Sequence, residues 1–232
     1  DFYIPVDSLN KAKDGDRVVV KMTGWNKEDK NPKGTVISVL DDKDTNDMAM
    51  KEILVESGFP LEFSEDALEA AARQPDRISA EDIKGRKDIR DILTFTIDPV
   101  DARDFDDALS IRKLKTGIYE IGVHIADVSH FVQEGSVLDE EAYERATSVY
   151  LPDRVLPMLP ERISNELCSL RPHEDKLTFS CVFQMTSKGE IKQHWIGKTV
   201  MHSNHRFTYE DVQQIIESGE GLYSEEILLL NE

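Results

Sequence analysis

Thr96-Ile97-Asp98-Pro99-Val100-Asp101-Ala102-Arg103-Asp104-Phe105-Asp106-Asp107-Ala108-Leu109 is the stretch on which the reading of this chain turns. Asp98, Asp101, Asp104, Asp106 and Asp107 fall within ten residues. Like charges at that spacing repel and raise one another's pKa values. A solvated turn tolerates this, but here the acidic run lies between two apolar segments, residues 93–97 and 108–112, each read as a β-strand. Partial burial follows, and buried carboxylates need a compensating cation. Arg103 is the only local one. Oxygen donors without nitrogen or sulfur favour Mg²⁺ or Mn²⁺ over zinc. An EF-hand calcium loop does not fit: counting from Asp98, Arg103 stands where a Gly is required and Leu109 where a Glu is. Three readings of the residues stay open: a catalytic Mg²⁺ site, a structural Ca²⁺ loop of another type, and a solvated acidic turn.

Toward the C-terminus the pattern is that of one mixed α/β domain. Residues 119–125 are expected to pair with 108–112 around a turn at 113–117. Residues 138–149 read as a helix, and 177–185 with 190–200 as a strand pair around Lys188-Gly189. Residues 208–218 read as a helix, with Thr208 and Asp211 forming a capping box in which Asp replaces the usual Glu. A last apolar segment covers 224–230.

Toward the N-terminus, Met48, Met50, Ile53 and Leu54 recur at helical spacing up to Gly58, and Ser64-Glu65-Asp66-Ala67 opens a second helix through Arg73. Residues 2–6, 16–22 and 34–40 read as strands, rich in Val18, Val19, Val20, Val36, Ile37 and Val39. Lys27, Lys30 and Lys33 beside Trp25 suit an OB-type nucleic-acid surface; a solvated hairpin loop is the commoner meaning of such a composition. Three strands fall short of a five-stranded barrel.

The 232 residues are 39% hydrophobic and 32% charged, a globular composition. No apolar run approaches the roughly 20 residues a membrane helix needs. The N-terminus has no signal-peptide pattern and no initiator Met, so it reads as the interior of a longer chain. Cys168 and Cys181 make neither a disulfide framework nor a zinc pattern, and suit a reducing, cytoplasmic setting. The net charge of −18 weighs against nucleic acid, because phosphate binding rewards Lys and Arg. The acid is unevenly spread, however: residues 210–232 hold seven acids and no Lys or Arg. A carboxylate site also lowers the formal count without repelling RNA once it holds divalent cations.

At this point the chain resembles the ribonuclease II/ribonuclease R (RNB) exoribonucleases, and ribonuclease R more than ribonuclease II. The resemblance is carried by Thr96-Ile97-Asp98 with Asp104-Phe105-Asp106-Asp107-Ala108-Leu109. Three further blocks follow in order: Val123-His124-Ile125-Ala126-Asp127-Val128, then Tyr150-Leu151-Pro152 with Pro157-Met158-Leu159-Pro160, then Asn165-Glu166-Leu167-Cys168-Ser169-Leu170-Arg171-Pro172. It implies an α+β fold. Residues 1–45 would be the latter part of a cold-shock, OB-type β-barrel, 46–90 a helical linker, and 91–232 the first half of a mixed α/β RNB catalytic domain.

It further implies that Asp98, Asp104, Asp106 and Asp107 are the catalytic, metal-holding carboxylates, with Mg²⁺ as cofactor and Mn²⁺ as a possible substitute. Asp101 lies outside that quartet. Tyr150 falls on an aromatic that stacks near the RNA 3′ end, and Tyr209 on a tyrosine near the scissile end. Arg171 is a candidate phosphate contact. Core packing is the simpler meaning of either tyrosine without the resemblance. The implied activity is processive 3′→5′ hydrolysis of single-stranded RNA to 5′-nucleoside monophosphates, with no membrane partner. The family's transition-state arginine and C-terminal RNA-binding domain would lie beyond residue 232, so the isolated chain is expected to be inactive. A non-catalytic RNA-binding module with a degenerate nuclease domain is the alternative. His124 reads as a satisfied histidine, and Cys168 as no nucleophile.

Overall fold

The computed structural model describes residues 1–232 except 27–28, 41–44, 116 and 153; the side chains of 45–48 are also outside the description. Lys27 and the side chain of Met48, both singled out above, therefore lie outside the described residues. The chain divides into two compact units, Asp1–Phe63 with Val149–Leu156, and Ser64–Ser148 with Pro157–Glu232.

In the first unit, β1 (Arg17–Gly24) and β2 (Lys33–Leu40) form an antiparallel pair, and α1 (Thr45–Glu56) follows. Among its described residues, Val36, Leu40 and Leu54 are the buried apolar ones. The strand expected at 2–6 is not formed. Tyr3 alone bridges Lys33, and Val6–Ser8 turns into a 3₁₀ helix. Pro5 has no N–H to continue a ladder. The described strands do not close a barrel, as the strand count from the sequence anticipated.

The second unit opens with α2 (Glu65–Ala72), whose N-cap Ser64 side chain accepts from Ala67 N–H, and α3 (Ala80–Ile83). Its sheet strands are β3 (Lys87–Asp88), β4 (Thr94–Asp98), β5 (Asp107–Lys113) and β6 (Tyr119–Ala126). Two helices come next, α4 (Val128–Phe131) and α5 (Val137–Arg145). The helix expected to run to residue 149 stops early, because Ala146 takes a left-handed conformation at φ 61° and donates its N–H to Ala142. The chain then makes a short hairpin, β7 (Val149–Tyr150) with β8 (Val155–Leu156), which groups with the first unit.

After a π-helical turn at Arg162–Leu167 come β9 (Asp175–Met185), β10 (Ile191–His202), β11 (His205–Thr208), α6 (Tyr209–Ser218) and α7 (Ser224–Asn231). The sheet has seven strands in the order β11-β4-β5-β6-β9-β10-β3. The two outermost pairings, β11 with β4 and β10 with β3, are parallel; the rest are antiparallel.

Two apolar clusters hold this unit together. Phe95, Phe207, Ile215 and Ile227 pack with Leu93, Ile97 and Leu109, which seats α6 and α7 on β11, β4 and β5. The other cluster joins Ala67 and Ala71 of α2, Leu138 of α5, Ile163, Leu170, Met201, Ala108 and Phe105. The second of these fixes the acidic loop, because Phe105 stands inside it.

Candidate active site

β4 delivers Asp98 as its last residue, and Pro99, lacking an N–H, ends the ladder there. The loop turns through a bond from Ala102 N–H to Pro99 O (3.1 Å) and re-enters the sheet at Asp107, the first residue of β5. Phe105 is the loop's anchor, 8% exposed within the apolar cluster. Asp104 and Asp106 are its chain neighbours, so burial of one ring holds both in place. The Asp106 carbonyl accepts from Ala126 N–H at 2.9 Å, tying the end of the loop to β6.

The electrostatics follow from this crowding. Asp98 is buried, and its Oδ2 has no hydrogen-bond partner. Burial raises its pKa, and the carboxylates of Asp107 and Asp104 add to the rise. The Thr96 hydroxyl tempers the shift, although its geometry falls short of a hydrogen bond. Asp106 is pushed up to about 6, by desolvation first and then by Asp104, Asp107 and Asp98. Its surface stays open to solvent, so the neighbouring carboxylates are the cause that the geometry supports best.

Four carboxylate oxygen donors on one loop and its flanking strand ends, with one orphaned buried oxygen, suit a hard divalent cation. The residues thus fit Mg²⁺ in chemistry. Their side chains are not converged on a common point: among the described residues, no group of three or more His, Cys, Asp or Glu is arranged to hold a metal ion.

Two residues that the sequence did not single out grip the loop. Ser169, fully buried, accepts from Phe105 N–H (3.1 Å) and donates to Arg103 O (2.8 Å), while Leu170 N–H donates to Phe105 O (2.8 Å). Arg206 on β11 donates to Pro99 O, lies 5.4 Å from the Phe105 ring centroid and opposes the rise of the Asp98 pKa. Nothing in the local sequence marks either one. Ser169 sits inside a block quoted above for its pattern alone, and Arg206 lies on a four-residue strand that was not anticipated.

The other candidates are distributed differently. Tyr209 is the first residue of α6 and is exposed; its predecessor Thr208 pairs with Asp98 across β11 and β4, which brings the tyrosine to the same end of the sheet. Tyr150 is exposed on β7 in the first unit. Arg171 pairs with Glu174 at 2.7 Å and lines a cavity of about 400 Å³ with Arg90, Arg162 and Lys176; none of the four carboxylates lines it. Asp101 is exposed. Burial pushes the Cys168 thiol up to about 12, which leaves it unreactive.

Residues 86–232 match the RNB domain, and residues 1–64 the cold shock domain. The chain belongs to the RNB family. Ribonuclease R of Thermotoga maritima is 42% identical over 219 residues, which is 94% of this chain and 31% of that protein. Mycoplasma genitalium RNase R, solved in complex with double-stranded RNA, superimposes with a TM-score of 0.79 at 28% identity, covering 98% of this chain and 40% of that one. Yeast Ssd1, described as a pseudonuclease, shares the fold with a TM-score of 0.71 at 24% identity, covering 97% of this chain and 30% of that one. The chain spans 23% to 32% of the length of the first curated relatives it matches.

Within the RNB region, the acidic loop, the Ser169 block and the Tyr209 helix lie in one compact unit. An RNB fold alone does not make a nuclease, since a pseudonuclease has it too. The chemistry has to be argued from the carboxylates.

Proposed function

We propose that this chain is part of a 3′→5′ exoribonuclease that hydrolyses single-stranded RNA processively to 5′-nucleoside monophosphates. One observation carries the reading: in an RNB-family chain, Asp98, Asp104, Asp106 and Asp107 stand in and at the ends of the loop between β4 and β5, neighbouring carboxylates raise the pKa values of Asp98 and Asp106, and a buried Asp98 oxygen is left unpartnered. Asp98, Asp104, Asp106 and Asp107 would hold two Mg²⁺ ions, with Mn²⁺ as a substitute. Such ions, when bound, activate water and offset charge on the phosphoryl and leaving oxygens. Exposed Tyr209 stands at the same sheet end to contact the terminal nucleotide, and the resemblance to the family makes Tyr150 an aromatic that stacks near the RNA 3′ end and Arg171 a phosphate contact. The name and RNA-bound structures of ribonuclease R relatives support RNA as substrate. A cytoplasmic enzyme is proposed; no helix of the described residues is long and apolar enough to cross a membrane.

The test is Asp106→Asn in the complete enzyme. The substitution keeps size and removes one charged ligand, so the rate of RNA hydrolysis should fall ~100-fold or more, an interaction of several kcal/mol at 1.36 kcal/mol per decade. A wild-type rate in the variant would sink the assignment.

A second reading is an RNA-binding module without catalysis. The unconverged carboxylates and the pseudonuclease fold neighbour favour it. Mg²⁺ titration calorimetry separates the two: binding that is lost in Asp106→Asn supports the nuclease, and RNA binding without any metal binding supports the module.

A further inference from the structure

Asp104 is bracketed by one buried oxygen. The Ser169 hydroxyl takes the N–H of the residue after Asp104 and gives its proton to the carbonyl of the residue before it. The backbone of Leu170 adds a third bond to this segment, donating its N–H to Phe105 O. Together these fix the peptide planes on both sides of Asp104, and hence the direction in which its Cα–Cβ bond leaves the chain. From the opposite end of the loop, the Arg206 guanidinium bonds the Pro99 carbonyl and covers the Phe105 ring. Its Nε is buried and makes no hydrogen bond. The loop is thus held at its first residue and around Asp104 by side chains from a distant turn and a distant strand.

We infer that Ser169, together with Arg206, positions the carboxylate loop for divalent-cation binding. The inference rests on the metal-holding role proposed above for that loop. Ligand carboxylates that are free to swing lose affinity through the ordering they must undergo on binding. A hydroxyl that orders their backbone beforehand removes that cost. Ser169 and Arg206 are positioning residues, since neither is asked to touch the cation.

Mg²⁺ titration calorimetry on the purified protein tests this, with Ser169→Ala compared against Ser180→Ala. The second variant deletes a buried hydroxyl of the same size from the sheet, where its hydrogen bonds go to His124, Thr178 and Thr199, outside the loop. Ser169→Ala should weaken Mg²⁺ binding ~10- to 100-fold, and amide exchange at Phe105 should accelerate while that of β6 and β9 does not. Ser180→Ala should lower thermal stability and leave Mg²⁺ affinity within ~2-fold, as expected for sites with no shared partner. If Ser169→Ala does not fold, Arg206→Lys takes its place: it keeps the charge, loses the planar fork and should also weaken binding. Wild-type Mg²⁺ affinity in both Ser169→Ala and Arg206→Lys, with binding abolished in Asp106→Asn, overturns the inference and leaves the role of the carboxylates standing. Absence of Mg²⁺ binding in the wild type overturns both.

Discussion

His124 shows how a single polar residue is accommodated in the sheet. Its ring is fully buried, with Nδ1 2.7 Å from Ser180 Oγ and Nε2 2.8 Å from Ser110 Oγ. Gly122 makes room for it: a Cβ there would stand 2.5 Å from both His124 Nε2 and Ser110 Oγ. Burial, with a smaller contribution from Lys87, lowers the imidazole to about 4 from 6.5. The unfolded chain therefore binds the proton first as pH falls. Stability from the neutral ring is complete above pH 6.5, declines between 6.5 and about 4, and loses nothing further below that. The loss across the window is about 3 kcal/mol at 1.36 kcal/mol per unit. Urea unfolding at pH 7.5 and pH 4.5, compared with His124→Gln, checks this; an unchanged pH dependence in the variant would count against it.

Among the elements, α6 couples helix capping to the site. Thr208 Oγ1 accepts from Asp211 N–H at 3.0 Å, and Asp211 Oδ2 accepts from Thr208 N–H at 2.9 Å. The same Thr208 pairs with Asp98 at the end of β4. Fraying of the first turn of α6 would therefore reach the strand that presents the buried carboxylate. Thr208→Ala should cost about 1 kcal/mol of stability, read as a lowered urea midpoint at an unchanged slope. The capping box was legible in the sequence because its residues are three apart. The early stop of α5 was not, because it depends on Ala146 adopting a left-handed backbone that its side chain does not favour.

For the molecule as a whole, the second unit is tied together by a buried ion pair. Arg86 Nη2 lies 2.6 Å from Asp127 Oδ2, their side chains 5% and 2% exposed, and Lys198 Nζ lies 3.2 Å from the same oxygen. Arg86 precedes β3 at one sheet edge, and Asp127 follows β6 in the interior of the strand order. Burial would raise the Asp127 pKa, but Ser129, Arg86 and Lys198 hold it below 3.8. Its contribution to stability is present above the ordinary carboxylate pKa and is lost as pH falls through the lowered one, a window below that of His124. Arg86→Ala leaves the carboxylate with the Lys198 ammonium and the Ser129 hydroxyl and should cost about 3 kcal/mol, the lower end for breaking a buried pair. Equilibrium denaturation of the variant measures it.

The sequence by itself determined what depends on near neighbours. Residues 108–112, 119–125 and 177–185 read as strands, Thr208 with Asp211 as a helix start, and five clustered aspartates as an oxygen-rich loop between two strands. Ordered motifs pointed to the RNB family, which the comparisons show. Tertiary structure alone decided which distant groups meet that loop. Ser169 reaches it across 64 and 66 positions and Arg206 across 107. Thr94, Thr96, Ser110, Thr178, Ser180 and Thr199 are polar strand residues that the fold buries. Periodicity records only which side of its own element a residue takes. Whether that side meets water, a partner hydroxyl or a carboxylate depends on the order in which strands pair, and no local pattern encodes that order.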